Sequence, residues 1–284
     1  MKVRAQVVLL FGLMLLVSSA GLAQSAPSGA PAGVPGKSVR TTSVAITRQP
    51  PPPYLLPVQG APYSLTRQWT NTQALPNGDQ IASVQVPSRM YRDSFGRTRS
   101  EIPLNTKNAA IDTLFVIEIR DHVAGFAYIL DMQNRIAHRY AIRIVPEEMM
   151  AMLRSREERS GTGVPNGVLR QPPDPSQPQT TVEKLGLRNI ENLDCEETRT
   201  TITYPAGWRG NDRPLVSVED NCTSPYLRMS ILMKRVYPPM GELLIRVTDI
   251  SQINPDPALF QVPPDFSVVD EKGPVTIKYT YPLR

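Results

Sequence analysis

From Tyr63 onward the chain alternates apolar and polar residues with a period of two. In residues 113–120, Phe115, Ile117 and Ile119 fall on one face of an extended segment, and Glu118 and Arg120 fall on the other. Leu227, Met229, Ile231 and Met233 repeat the pattern against Arg228, Ser230 and Lys234, and Leu243, Ile245 and Val247 do so again. This period with one polar face predicts antiparallel strands that are wet on one side. Asn, Asp, Gly and Pro clusters at 76–79, 93–96, 123–125, 133–134, 191–194 and 238–241 punctuate the runs. Short strands joined by such turns describe a mainly β antiparallel meander of about ten strands. They fall in two groups, 61–144 and 180–270, of a single domain spanning 61–270.

Between the groups, over 145–179, lie one helix and a long loop. Pro146 suits the first helical position, Glu147 and Glu148 suit the positive N-terminal end, and Arg154, Arg156 and Arg159 suit the C-terminal end. Met149, Met150, Met152 and Leu153 give it an apolar patch, which reads either as the helix's core face or as an adaptable lid over an apolar ligand. Residues 24–60 are rich in Ala, Pro, Ser and Gly and read as a disordered or polyproline tether, and 271–284 reads as a C-terminal tail.

The N-terminus carries its own signal. Lys2 and Arg4 precede an apolar run from Val7 to Val17, and Gly21-Leu22-Ala23 places small residues at the −3 and −1 positions. That is a cleavable secretory signal peptide, residues 1–23, with cleavage after Ala23. The run is short of the ~20 residues that a membrane span needs, which weighs against an uncleaved anchor. No second apolar run of membrane length follows, so no transmembrane segment is expected after cleavage. The expected location is the periplasm or another extracytoplasmic space.

Export changes how the charge and the cysteines read. Loss of residues 1–23 from 284 leaves 261, and it takes two basic and no acidic residues out of 31 and 26, so the mature net charge is +3. That is no electrostatic footprint for nucleic acid. In an oxidising compartment the only two cysteines, Cys195 and Cys222, read as a disulfide. The β-prone runs Thr198–Tyr204 and Pro214–Val218 make a hairpin whose ends bring them together, with a structural role.

Catalytic parts are scarce. His122 at a turn and His138 on a strand have no partner at metal-ligand spacing, and no HExxH, CxxC or G-x-S-x-G motif occurs. The adjacent pair Glu196-Glu197 points to opposite faces of a strand. The reading is therefore of no enzyme, no metal and no cofactor. Arg89, Arg92, Arg97 and Arg99 on one hairpin, and Arg135, Arg139 and Arg143 on another, read either as a solvated sheet face or as an anionic headgroup site.

Two stretches carry a resemblance. Residues 241–250 followed by Asn254-Pro-Asp-Pro-Ala-Leu-Phe-Gln-Val-Pro-Pro-Asp-Phe266 and Val268-Val269 resemble the closing strand and segment of lipoprotein-carrier-like envelope domains of the LolA/LppX type. Residues 91–101 and 119–131 are similar to a group of uncharacterised exported bacterial proteins. The resemblance implies a curved, incompletely closed half barrel, with helical segments over a concave side that holds acyl chains in the carriers. In place of the carriers' N-terminal helices this chain has its Pro-rich stretch.

Two functions follow as expectations. One is a non-enzymatic envelope protein that binds a lipid or lipoprotein tail on the concave face, with Phe115, Ile117, Met149, Met150, Leu153, Met229 and Ile231 facing the ligand. The other is an envelope scaffold with a filled core, no ligand and a protein partner.

Overall fold

The alternating segments pair, strand after strand, into a large antiparallel sheet. A computed structural model describes residues 41–75, 77–104, 115–146, 148–149, 151–152, 155, 174–208, 210–238 and 240–282. The expected signal peptide, residues 24–40 of the expected tether, and Met150 and Leu153 lie outside the described residues. Glu148, Met149, Ala151, Met152 and Ser155 are helical.

The first meander comprises β3 (Tyr63–Ala74), β4 (Gln80–Val84), β5 (Ser88–Arg92), β6 (Thr98–Pro103), β7 (Phe115–Asp121), β8 (Phe126–Asp131) and β9 (Ile136–Ala141). The second comprises β11 (Gln179–Ile190), β12 (Leu193–Tyr204), β13 (Leu215–Ser224), β14 (Met229–Tyr237) and β15 (Gly241–Ser251). They join edge to edge where β15 pairs antiparallel with β3, Val247 opposite Arg67 and Ile245 opposite Trp69. The order is β11-β12-β13-β14-β15-β3-β5-β6-β7-β8-β9-β16, where β16 (Ser267–Asp270) runs parallel to β9. β11 and β16 end the sheet without pairing to each other, so it stays open.

Local chemistry sets the irregularities. β4 continues into β5 through Pro87, which has no N–H for the ladder, and the register against β3 slips by one residue there. Glu191 and Asn192 both have positive φ, 52° and 61°, and form the two-residue turn between β11 and β12.

Two strands lie where the tether and tail were expected. β1 (Thr41–Arg48) and β17 (Val275–Pro282) pair along their whole length as a separate ribbon. The reason is the same period of two: Val275, Ile277 and Tyr279 are buried, and the residues between them are exposed. A short parallel pair, β2 (Tyr54–Leu55) with β10 (Arg143–Ile144), also falls partly in the expected tether.

The ribbon corrects the expectation of one wet face. Val116, Ile129, Tyr140 and Leu104 pack with Val275, Ile277 and Tyr279, and Ile46 adds to them. On the other face of β7, Ile117 and Ile119 pack with Leu130, Ala137 and Phe260. Phe260 comes from the single 3₁₀ turn, Pro257–Phe260, of the closing segment. Both faces of the β6–β9 half are therefore covered. Glu118 lies on the ribbon side and is 3.9 Å from Arg48 there.

Candidate functional site

The residues expected to face one ligand occupy two separate cores. Ile117, with Phe115 against it, lies beneath the closing segment among Ile119, Leu130 and Phe260. Ile231, with Met229 against it, lies in a cluster with Tyr63, Leu65, Leu193, Cys195, Cys222, Leu227 and Val247. Ile117 is 6% and Ile231 0% exposed, so their surfaces are spent on packing. Met149 is exposed. The sequence pattern places these residues on strands correctly, but it does not say which element will cover each face.

Cys195 and Cys222 form a disulfide between β12 and β13, with Cα atoms 5.4 Å apart. Glu197 is the residue opposite Cys222, so the bridge runs diagonally across the pair.

In the arginine-rich hairpin Arg89 is exposed, as a solvated face would have it, whereas Arg92, Arg97 and Arg99 are engaged within the fold. Arg92 is buried and donates from Nε to the Ala61 carbonyl and from Nη2 to the Leu227 carbonyl, both at 2.8 Å, with its guanidinium 4.5 Å over the Tyr63 ring. The Arg97 Nε donates to Asp93 at 2.6 Å, and its guanidinium lies 5.2 Å from the Phe260 ring. Arg99 donates to Glu101 and to the Leu259 carbonyl. Arg135 and Arg139 on the other hairpin meet Asp265 and Asp270. The segment 91–101 is thus a structural knot that ties the sheet to the closing segment. His122, at the turn after β7, is buried, and His138 Nδ1 is 2.9 Å from the Glu271 carboxylate.

A shallow groove of about 450 Å³ runs beside the closing segment between Arg99, Asp256, Leu259, Gln261, Val262 and Pro264. Its charged side chains are already engaged, Arg99 as above and Asp256 as the cap that accepts from the Ala258 N–H at 2.9 Å. Among the described residues no group of three or more His, Cys, Asp or Glu side chains could hold a metal ion.

One side chain breaks the pattern. β3 lays Tyr63, Leu65, Arg67 and Trp69 on a single face, since alternate residues of a strand share a side. Val247 stands directly opposite Arg67, Ile245 opposite Trp69, and Met233 of β14 opposite Ile245. Leu65 and Val247 belong to the disulfide-bearing core. Beyond it Trp69, Met233, Leu243 and Ile245 are only half-buried. They extend the apolar stripe past the core, and among the described residues no buried cluster takes them up.

Arg67 sits inside that stripe. Its Nε is buried without a hydrogen-bond partner, and among the described residues no carboxylate lies within salt-bridge distance. Burial pulls its pKa below the ordinary guanidinium value, and the Tyr63 phenol offsets part of this. A desolvated charge without a counter-ion costs several kcal/mol, and Arg92, whose donors reach carbonyls, shows how the same fold satisfies a guanidinium elsewhere. The sequence carries one signal of Arg67, its place in Tyr63-Ser-Leu-Thr-Arg-Gln-Trp69, which becomes readable once the Tyr63–Leu65 face is known to be apolar.

These features define a mainly β domain built on one open sheet, with an apolar seam where its two meanders meet. No protein-family model and no curated protein sequence matches the chain. Solved structures do. An uncharacterised conserved protein from Thermus thermophilus aligns over 75% of this chain and 91% of its own, at 8% identity and a TM-score of 0.37. A LolA superfamily protein from Nitrosomonas europaea aligns over 72% and 92%, at 9% identity and a TM-score of 0.29. A DUF1329 family protein from Desulfovibrio piger aligns over 72% and 90%, at 10% identity and a TM-score of 0.26. The neighbours thus include the carrier-like type that the closing segment resembles, and at these values the similarity carries nothing about chemistry.

Proposed function

We propose that this is a non-enzymatic, exported envelope protein that holds the hydrocarbon part of an amphiphile against the β14–β15–β3 seam. The observation that carries the reading is the apolar stripe of Trp69, Ile245, Met233 and Leu243, which continues the first core and stays half-buried. Apolar surface left part-exposed in this way is a standing reason to bind something apolar. The ligand-facing set first expected is replaced, because Phe115, Ile117, Met229 and Ile231 are spent on packing. Export is supported by the n-region, apolar run and small-residue site at 1–23 and by the disulfide.

The test uses Trp69 as its own reporter. The chain has two tryptophans, and Trp208 is exposed in the β12–β13 loop, so Trp208→Phe leaves Trp69 alone without touching a core. Titration of that variant with a brominated acyl chain should quench Trp69 saturably. Absence of saturable quenching refutes the reading. The scaffold reading, a filled sheet with a protein partner, is favoured by the two packed cores, and it predicts no quenching and a crosslinked partner recovered from the envelope.

A further inference from the structure

We infer that Arg67 is the recognition point for an oxyanion, so that the seam takes amphiphiles whose acyl chain carries a carboxylate or phosphate head. The inference rests on the acyl-binding reading above and specifies its ligand class.

Folding leaves this position incomplete. Arg67 is flanked on its own strand by Leu65 and Trp69 and across the seam by Val247, none of which can accept a hydrogen bond from its side chain, and on β5 it faces Ser88, whose hydroxyl donates to the Arg67 backbone carbonyl at 3.4 Å. A guanidinium has five N–H donors and no acceptor. Its Nε is buried and unmatched, and no carboxylate of the described residues meets it. Arg48 Nε is likewise buried without a hydrogen bond but lies 3.9 Å from the Glu118 carboxylate, and Arg92, Arg97 and Arg99 reach carbonyls or the carboxylates of Asp93 and Glu101. The charge at Arg67 is therefore left for a group from outside the described fold. A planar fork of donors in an apolar wall matches the two oxygens of a carboxylate or phosphate, and the stripe toward Met233 and Leu243 supplies the surface for a chain attached to it.

Head and chain thus have separate places. Leu65 and Val247, fixed in the disulfide-bearing core, hold the backbone on both sides of Arg67, so the donor is placed before the ligand arrives. Free phosphate would satisfy the guanidinium but leave the stripe uncovered, and a neutral amphiphile would do the reverse.

The experiment compares four probes on mature protein carrying Trp208→Phe, read by Trp69 fluorescence: dodecyl phosphate, dodecanoate, dodecyl maltoside and inorganic phosphate. Expected is at least about tenfold tighter binding of the two anionic chains than of the neutral one, and weaker binding still of inorganic phosphate. Arg67→Leu should erase the tenfold preference while leaving the maltoside affinity within about twofold. Arg67→Lys should retain part of the preference, and Arg67→Gln provides a polar variant if the leucine variant does not fold. A preference below about twofold in the parent, a preference that survives in Arg67→Leu, or inorganic phosphate binding as tightly as dodecyl phosphate overturns the inference and leaves the acyl-binding reading standing. If none of the three chains binds, the acyl-binding reading itself falls, and the inference with it.

Discussion

Breaking the Cys195–Cys222 bridge should destabilise this domain substantially. The bridge closes a loop of 27 residues of sequence separation between β12 and β13. Chain entropy then assigns to the cross-link about 3.5 kcal/mol, from the loop-closure entropy removed from the unfolded ensemble at 25 °C. For a domain of this size each kcal/mol moves the melting temperature by roughly 2–4 °C, so a drop of about 7–14 °C is expected on reduction. Both sulfurs lie in the first core, where Cys195 is 0% and Cys222 1% exposed, so a reductant reaches them only when that core opens. The assay is a calorimetric melt of oxidised protein against protein reduced while unfolded and then refolded. The double variant Cys195→Ala/Cys222→Ala serves as a second arm that also loses the buried sulfurs and should melt lower still. Reduced and oxidised forms that melt within about 2 °C of each other would refute the reasoning, since the cross-link would then contribute under about 1 kcal/mol.

Three further predictions concern the cover of the sheet. Ile277→Ala removes a 1%-exposed side chain from the ribbon-covered core and should cost about 2–5 kcal/mol in urea denaturation; a loss below about 1 kcal/mol means the ribbon does not pack as described. Gly96→Ala forces a side chain onto φ +87° with its Cβ 2.9 Å from the Val58 carbonyl, whereas Gly60→Ala at φ +70° meets nothing. The first should lose at least about 2 kcal/mol and the second about 1, so equal losses would show that the close approach is not there. The Tyr279 phenol is pushed up to about 12, chiefly by burial and further by Asp131, with Arg48 opposing. Because the folded form holds that proton more tightly, this contribution is present below pH 10 and is lost as pH rises from 10 through 12. Tyr279→Phe should flatten that part of the stability profile, and an unchanged profile would assign the alkaline loss to other groups.

How far the sequence foretold this can be argued residue by residue. The meanders were legible because Ile117 and Ile119, or Ile245 and Val247, alternate with polar residues between clear turn signals. The disulfide was legible because a hairpin and the expectation of an oxidising compartment left Cys195 and Cys222 only each other. The β1–β17 ribbon was not, although Val275, Ile277 and Tyr279 alternate cleanly, because its paired residues lie 227 or more apart in sequence and composition around β1 suggests a tether. Missing the ribbon made the polar face of β7 look wet. The arginines of 91–101 read from sequence either as a solvated face or as an anionic headgroup site, since sequence shows the charge of Arg92 and not the carbonyls of Ala61 and Leu227 that satisfy it. Arg67 was overlooked for the opposite reason, because its register is informative only once the face of β3 is known to be apolar.

The two halves of the sheet now explain each other. Around β6–β9 the ribbon and the closing segment cover both faces, and Arg97, Arg99 and Arg139 meet Asp93, Glu101 and Asp270. Along β12–β15 one face is wet and carries cross-strand ion pairs, Arg199 bidentate to Asp220 at 2.6 and 2.8 Å and Lys234 to Glu242 at 2.9 Å, and β11 at the edge is exposed on both faces. Such exposed pairs contribute little to stability, ~0–1 kcal/mol each, so this half is not held by them. It is held by the disulfide-bearing core, which lies at one end of the seam and includes Tyr63, Leu65 and Val247. A desolvated charge two residues beyond Leu65 is tolerable only because that core is strong enough to carry its cost. Arg67→Leu should therefore melt at or above the parent while losing anion preference, a division of stability from function that a purely structural arginine does not give.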